Sequence, residues 1–249
     1  MHHVPCPVCG ADNRAEFLRG RDRLHHIGGE FTLVRCACET VYLNPQPALD
    51  ELQAYYPDDY LAHRATAWKP ALRRHRAFKV FLLRWHYGCP IGGPAPPRWL
   101  RGLLAPLLFW PALGSLKSAL PYRGAGRILD VGCGNGRWLR ALKDFGWQVQ
   151  GVELDPVAAR LANELGVPTV CGTLHDARFP GASFDLVRLH YVFEHLTNPG
   201  EILDEIRRVL APGGRCYIRV PNIRSCTFAW FGEYWFPLDV PRHVIHYSP

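Results

Sequence analysis

From Gly124 onward, apolar and polar positions alternate between two periods. The apolar runs RILDVG (127–132), WQVQGVEL (147–154), VPTVCG (167–172), FDLVRLH (184–190) and RCYIRV (215–220) are short and bounded by glycine or polar residues, and they predict strands. Between them lie segments with apolar residues at helical spacing. GRWLRALKDFG (136–146) is stopped by Gly146, DPVAARLANELG (155–166) has Asp155 placed to cap and Pro156 in its first turn, and EILDEIRRVL (201–210) is followed by Pro-Gly-Gly. Strands alternating with amphipathic helices predict an α/β fold, an open, mostly parallel sheet with right-handed crossovers and flanking helices.

The first 122 residues follow another pattern. Residues 1–48 are loop-rich and carry four of the nine cysteines, and 49–122 show helical spacing broken by clusters such as GCPIGGPAPP. The expected division is a small domain at 1–48, a helical insert at 49–122 and the α/β core at 123–249. No internal repeat or low-complexity tract interrupts it.

Hydrophobic content is 48% and charged content 20%, values of a soluble globular chain with a real core. No run reaches the ~20 apolar residues of a spanning helix. The N-terminal MHHVPCPVCG has no signal-peptide core, so the expected location is cytoplasmic. Nine cysteines there suit metal binding or burial better than disulfides. The net charge of +7 is uneven: twelve Lys and Arg fall between Tyr60 and Asp130, where no acidic residue occurs, leaving 17 basic against 22 acidic residues elsewhere. A basic segment is set into a mildly acidic protein.

The glycines of RILDVGCGNGRWL bear on chemistry. A phosphate loop requires GxxxxGK[ST], which is absent, and a dinucleotide fingerprint requires a glycine where Arg137 stands. What stands here is Asp130 followed by Gly132, Gly134 and Gly136. An acidic residue before the first glycine repels a pyrophosphate and suits a ligand with a cationic ammonium and sulfonium. This resembles motif I of the class I S-adenosylmethionine-dependent methyltransferases. Glu153, seventeen residues past Gly136 and at the end of the second strand, is placed to accept hydrogen bonds from both ribose hydroxyls. Residues 183–222 are similar to the fourth strand, helix and fifth strand of that family. The resemblance covers about 124–222 and implies S-adenosylmethionine as cofactor, held by Asp130, Gly132, Gly134, Gly136, Glu153, Leu154 and Leu174. In CGTLHDARFP, Thr173 and Leu174 stand where the family often has an acidic residue for adenine. The expectation is that the Leu174 backbone and apolar packing hold the ring, with Asp176 nearby. The family fold normally adds a helix and two strands after the fifth strand. This chain stops at HYSP, so it lacks those strands and leaves a sheet edge exposed unless it is truncated or the edge is covered.

Cys6 and Cys9 in CPVC, with Cys36 and Cys38 in RCAC, supply four thiols on two tight turns, enough for a tetrahedral Zn2+. The CxC pair departs from the usual CxxC, so His25 or His26 is an alternative to Cys38, and a metal-free reduced loop is the bland alternative. The order CPVCG then RCACETVYLNPQP resembles the zinc ribbon ahead of the methyltransferase core in some bacterial enzymes, including sugar C-methyltransferases. That implies a structural metal.

A hydroxyl or acidic carbon acceptor needs a base. His190 ends the fourth strand, His195 follows beside Glu194, and His243 lies in GEYWFPLDVPRHVIHYSP, which resembles a substrate-pocket segment in part of the family. Each is also readable as a hydrogen-bonded packing residue, as His2, His3, His63, His75 and His86 are. Tyr55, Tyr56 and Tyr60 suit helix packing or a lid over the cofactor. In LRRHRAFKVFLLRWH, Phe78, Phe81, Leu82 and Trp85 share a helical face beside Arg73, Arg74, Arg76, Lys79 and Arg84, and PPRWLRGLLAPLLFWPAL follows. Residues 71–113 suit peripheral contact with an anionic membrane at its inner face. A buried lid or a homodimer contact is the alternative. These features predict a methyltransferase acting on a small-molecule acceptor, a sugar or a lipid-linked compound. The rivals are an RNA methyltransferase gripping RNA through ribbon and insert, and a non-catalytic cofactor-binding protein.

Overall fold

In the computed structural model the described residues are 1–48, 51, 52, 54–56, 81, 84, 85, 97, 99, 100 and 120–249. Most of the expected insert lies outside them, and with it Tyr60, His63, His75, His86 and nearly all of 71–113, the segment expected to meet a membrane. One pair from its aromatic face is described: Phe81 and Trp85, four residues apart, have ring centroids 5.6 Å apart, as helical spacing requires. Among the described residues no helix is long and apolar enough to cross a membrane.

The chain forms two compact units, one drawn from Met1–Leu61, Leu189–Arg207 and Tyr217–Pro249, the other from Ala62–Arg188 and Arg208–Cys216. The division expected from the sequence runs along the chain, whereas these units do not.

The second unit carries the Rossmann-like α/β sheet. Its elements are β4 (Arg127–Val131), α1 (Arg137–Lys143), β5 (Gln148–Glu153), α2 (Pro156–Glu164), β6 (Thr169–Cys171), β7 (Phe184–His190), α3 (Pro199–Val209) and β8 (Leu210–Arg219), the last three running on into the first unit's segments. The strand order is β6-β5-β4-β7-β8, with β4/β5 and β5/β6 parallel. Ile128, Leu139, Leu142, Phe145, Trp147, Val149, Ala162, Val167 and Leu186 form its core. α2 starts where its sequence says it should, because the Asp155 side chain accepts from the Ala158 amide and Pro156 opens the first turn. α3 stops at Val209, before the Pro-Gly-Gly expected to close it, and that tripeptide is absorbed into β8. Pro212 disfavours helical geometry at Ala211, so the helix ends early. Among the described residues β8 is the last strand on its side, and it is exposed along most of its length.

Gly136 shows why a glycine sits at the head of α1. Its φ is +70°, and a Cβ there would lie 2.7 Å from the Cβ of Ala162 in α2. Gly136→Ala is therefore expected to destabilise the chain by about 1–3 kcal/mol through overpacking and a strained φ, measured as a lowered urea midpoint. An unchanged midpoint would show that α2 is free to shift.

The first unit is built on an antiparallel sheet of β1 (Arg14–Arg21), β2 (Glu30–Cys36), β3 (Val41–Leu43) and β9 (Ile245–His246), in that order. A short helix, α4 (Cys226–Phe231), leads into the C-terminal segment. The sequence gives no sign that Ile245–His246, some 200 residues downstream of Val41–Tyr42, pairs with them. Phe31, Leu33, Tyr42 and Leu43 share a core with Trp235, Leu238, Val240, Val244 and Ile245. At its centre is Arg242, wholly buried. It donates to Asp22 at 2.7 and 2.9 Å, to Asp239 at 2.5 and 3.0 Å, and to the Tyr55 carbonyl at 2.9 Å.

Burial opposes the charge on Asp22, but the Arg242 bonds outweigh it and lower the carboxyl from 3.8 to about 2. A depressed acid contributes stability that is complete above its unfolded value and lost as pH falls through the folded one. The contribution, about 2 kcal/mol, is expected to disappear between pH ~4 and pH ~2, and Asp22→Asn should flatten the wild-type acid limb in that window.

Candidate functional site

β4 carries Asp130 to the carboxyl end of the sheet and leads into Gly132-Cys133-Gly134-Asn135-Gly136. The Gly132 and Cys133 amides donate to the Val152 carbonyl of β5, at 2.8 and 3.1 Å, which ties the turn down. Gly136 makes room for a helix, but Gly134 differs. At φ +55° its backbone borders open space, and a Cβ added there would meet nothing within 4 Å. That is where a ligand can come close to the chain.

Glu153, at the end of β5, faces the same loop. Its Oε2 accepts from the Gly134 amide at 2.7 Å and its Oε1 from the Asp155 amide at 3.1 Å. A carboxylate has about four lone-pair positions, so two remain for a diol. The loop and the second strand are joined through the group expected to hold ribose.

Asp130 is 2% exposed, and its two oxygens accept from Arg188 Nη1 at 2.9 and 2.8 Å. Burial pushes its carboxyl up to about 7, against the pull of Arg188, and the charge of Glu153 adds to the rise. The Arg188 guanidinium lies 3.8 Å from the centroid of the Trp138 ring. The carboxylate expected to face a cationic ligand thus already has a cation of its own. Sequence reasoning misses Arg188, although a lone cation within the apolar FDLVRLH is a signal for a buried carboxylate partner. Cys133, in the loop itself, is pushed up to about 12 by burial and stays a thiol.

The remaining cofactor candidates lie beyond β5 and β6. Leu154 is 64% exposed next to Glu153, while the Leu174 side chain is buried at 1%. Asp176 accepts from the Thr173 amide at 2.8 Å and hydroxyl at 2.6 Å, so its carboxylate closes its own turn.

In the first unit Cys6, Cys9, Cys36 and Cys38 converge, with all four sulfurs within 4.8 Å of one another. Cys6 and Cys38 are 3.6 Å apart and Cys9 and Cys36 3.5 Å. Four thiolates around zinc at about 2.3 Å lie about 3.8 Å apart in a tetrahedron, so the donor set fits the ion. Hydrogen bonding from Thr40 lowers Cys38 to about 6, while at Cys9 the lowering by the Ala11 amide is outweighed by hydrogen bonds among the thiols, which raise it to about 12, so the four thiols do not ionise alike. His25 and His26 are not in this cluster.

His195 and His243 come together, with ring centroids 4.6 Å apart. His195 Nδ1 lies 3.0 Å from both the Tyr56 hydroxyl and the Arg242 carbonyl, and His243 Nδ1 lies 2.8 Å from the Pro237 carbonyl. Tyr56 thus packs against a histidine and Tyr55 against Phe31. Burial, then the His243 imidazole, lowers His195 to about 3, and burial, then the His246 imidazole, lowers His243 to about 3, so both are neutral at pH 7. His190 is separate from them. It ends β7, with its Nε2 3.4 Å from Arg219 Nη1 and its ring edge-on to Tyr191.

Residues 129–218 match the family model described as a methyltransferase domain. Among curated relatives, the ubiquinone biosynthesis O-methyltransferase of Xanthomonas oryzae pv. oryzae is 29% identical over 145 residues, 55% of this chain and 60% of that protein. The protein of the same name from Xylella fastidiosa is 31% identical over 125 residues, 47% and 50% of the two chains. The chain thus spans about half to three-fifths of these relatives' length. Among solved structures, an S-adenosylmethionine-dependent methyltransferase from Mesorhizobium loti aligns with a TM-score of 0.38 at 26% identity, over 44% of this chain and 51% of that one.

Proposed function

Starting from the match of residues 129–218 to a methyltransferase domain, we propose that this chain is a class I S-adenosylmethionine-dependent methyltransferase that transfers a methyl group from that cofactor to a hydroxyl of a small-molecule acceptor. The observation that carries the reading is the bond between Glu153 and the Gly134 amide beside open space. When bound, the cofactor supplies a methyl group on a positively charged sulfur. Glu153 holds the ribose through its two unused lone-pair positions, and Gly134 lets the adenosyl portion lie against the backbone. Leu154 and the backbone at Leu174 flank the adenine. Asp130 leaves the site little net charge once Arg188 is counted, so its part is to anchor the end of β4 beneath the loop.

The relatives' names speak of O-methylation, and an oxygen nucleophile must lose its proton. Of the three candidate histidines, His190 suits that task best. His195 and His243 are made poor bases by burial, which favours their neutral forms. His190→Gln is expected to lower kcat by about 10²–10⁴-fold while calorimetric binding of the cofactor stays as in the wild type. Equal losses in both would make His190 structural.

The same proposal includes one structural Zn2+ on Cys6, Cys9, Cys36 and Cys38, supported by the sulfur spacings. A closed four-thiolate site leaves no open position for catalysis. Titrating the thiols with an organomercurial should release one equivalent of zinc per chain and lower the melting temperature, and Cys9→Ser should abolish that release. No thiol-linked zinc in freshly purified protein would overturn it. The reading as a whole is tested with methyl-labelled cofactor and cell extract: label in the small-molecule or lipid fraction supports it, and label confined to RNA refutes it.

A further inference from the structure

Among the described residues, outside the glycine loop and the cysteines, one more group of donor atoms converges. Glu194, His195 and His243 place one carboxylate oxygen and two imidazole nitrogens within 4.8 Å of one another. Glu194 is 1% exposed, and neither of its oxygens has a hydrogen-bond partner among the described residues. A carboxylate buried without a partner is costly. The neighbouring cation cannot relieve it, because Arg242 is fully engaged by Asp22, Asp239 and the Tyr55 carbonyl.

The tautomers follow from the hydrogen bonds. His243 Nδ1 donates to the Pro237 carbonyl, so its lone pair is on Nε2. That atom lies 3.9 Å from Glu194 Oε1 and 3.7 Å from Asp239 Oδ2. Electron-rich atoms thus face one another across a gap too wide for a hydrogen bond. His195 is held at Nδ1 by the Arg242 carbonyl and the Tyr56 hydroxyl. A backbone carbonyl behind each ring is the outer support that orients metal-binding histidines. Beside them, His246 is 4% exposed with an unpartnered Nε2, its ring 6.3 Å from that of His243.

We propose that Glu194, His195 and His243 bind a single divalent first-row transition metal ion, with Zn2+ the best match. Two imidazoles and a carboxylate form a borderline-soft donor set suited to that ion. Ligand atoms about 2.1 Å from a tetrahedral metal are about 3.4 Å apart, so the Glu194–His243 pair needs to close by about half an ångström. Three protein ligands leave a position open to water or another small oxygen ligand, unlike the four cysteines. The ion would supply the positive charge that the Glu194 carboxylate lacks.

The test uses the full chain with zinc already on its cysteines. Titration with Co2+ is expected to show one further equivalent, with visible ligand-field bands but no sulfur-to-cobalt charge-transfer band. Glu194→Gln and His243→Gln should each weaken that equivalent by at least about 10-fold, while zinc released by the organomercurial stays at one equivalent. That unchanged release shows that the variants retain the fold around the ribbon. No further equivalent on the wild-type chain would overturn the proposal and leave Glu194 as a buried protonated acid. So would a further equivalent insensitive to both substitutions.

Discussion

Arg242→Met is expected to destabilise the chain by about 3–5 kcal/mol at neutral pH, because removing one partner of a buried ion cluster leaves the others charged and unpaired. Methionine matches the arginine stem in length, so lost volume contributes little. The loss arises from Asp22 and Asp239, which share one guanidinium in a wholly buried position. The pH dependence separates this from simple loss of packing. Without Arg242 the two carboxyls are raised above their unfolded values, so the variant gains stability relative to the wild type as pH falls and they take up protons. The wild type behaves oppositely, losing the Asp22 contribution as pH falls toward about 2. Unfolding free energies from urea titration of wild type and variant should therefore differ by several kcal/mol at pH 7 and by clearly less at pH 4.5. A constant gap across that range would place the loss in packing.

The second large effect is expected on cofactor binding. Glu153→Ala removes a carboxylate that would accept two ribose hydroxyls and that already holds the Gly134 amide. Hydrogen bonds to a charged group contribute about 1.5–3 kcal/mol each, so losing two should weaken S-adenosylmethionine binding by about 100-fold or more. S-adenosylhomocysteine carries the same ribose, and its affinity should fall by the same factor. Asp130→Asn should behave differently. With Arg188 left unpaired in a buried position, its main effect falls on stability. If calorimetry finds Glu153→Ala binding within a few-fold of wild type, the ribose assignment is wrong.

Much of the α/β half is legible in the amino-acid order. The apolar period at 127–131 and 148–153, the Asp155-Pro156 start and the glycine stop at 146 are local signals, read by bonds within a few residues. The glycine loop and Glu153 are legible for the same reason, being tied to the ends of neighbouring strands. The cysteine pairs are legible as pairs, and their meeting across 27 and 32 residues follows from the chemistry of thiols. The glycines look alike in sequence, yet one admits Ala162 and another borders open space. The three histidines also look alike, and burial separates two from the third.

Sequence alone carries the alternation of strands and helices, the open loop after β4, the acidic residue at the end of β5 and the four-cysteine donor set. Each is written in spacing over a few residues or in an unusual residue type. Three-dimensional packing was needed to show that β9 completes the N-terminal sheet, that Arg242 closes on Asp22 across 220 residues, that Arg188 neutralises Asp130, and that Glu194 sits beside two histidines without a partner. Pairings of this kind depend on which charged groups are carried out of water together. Local periodicity does not encode that, because any carboxylate and any cation look equally well solvated until the chain buries them.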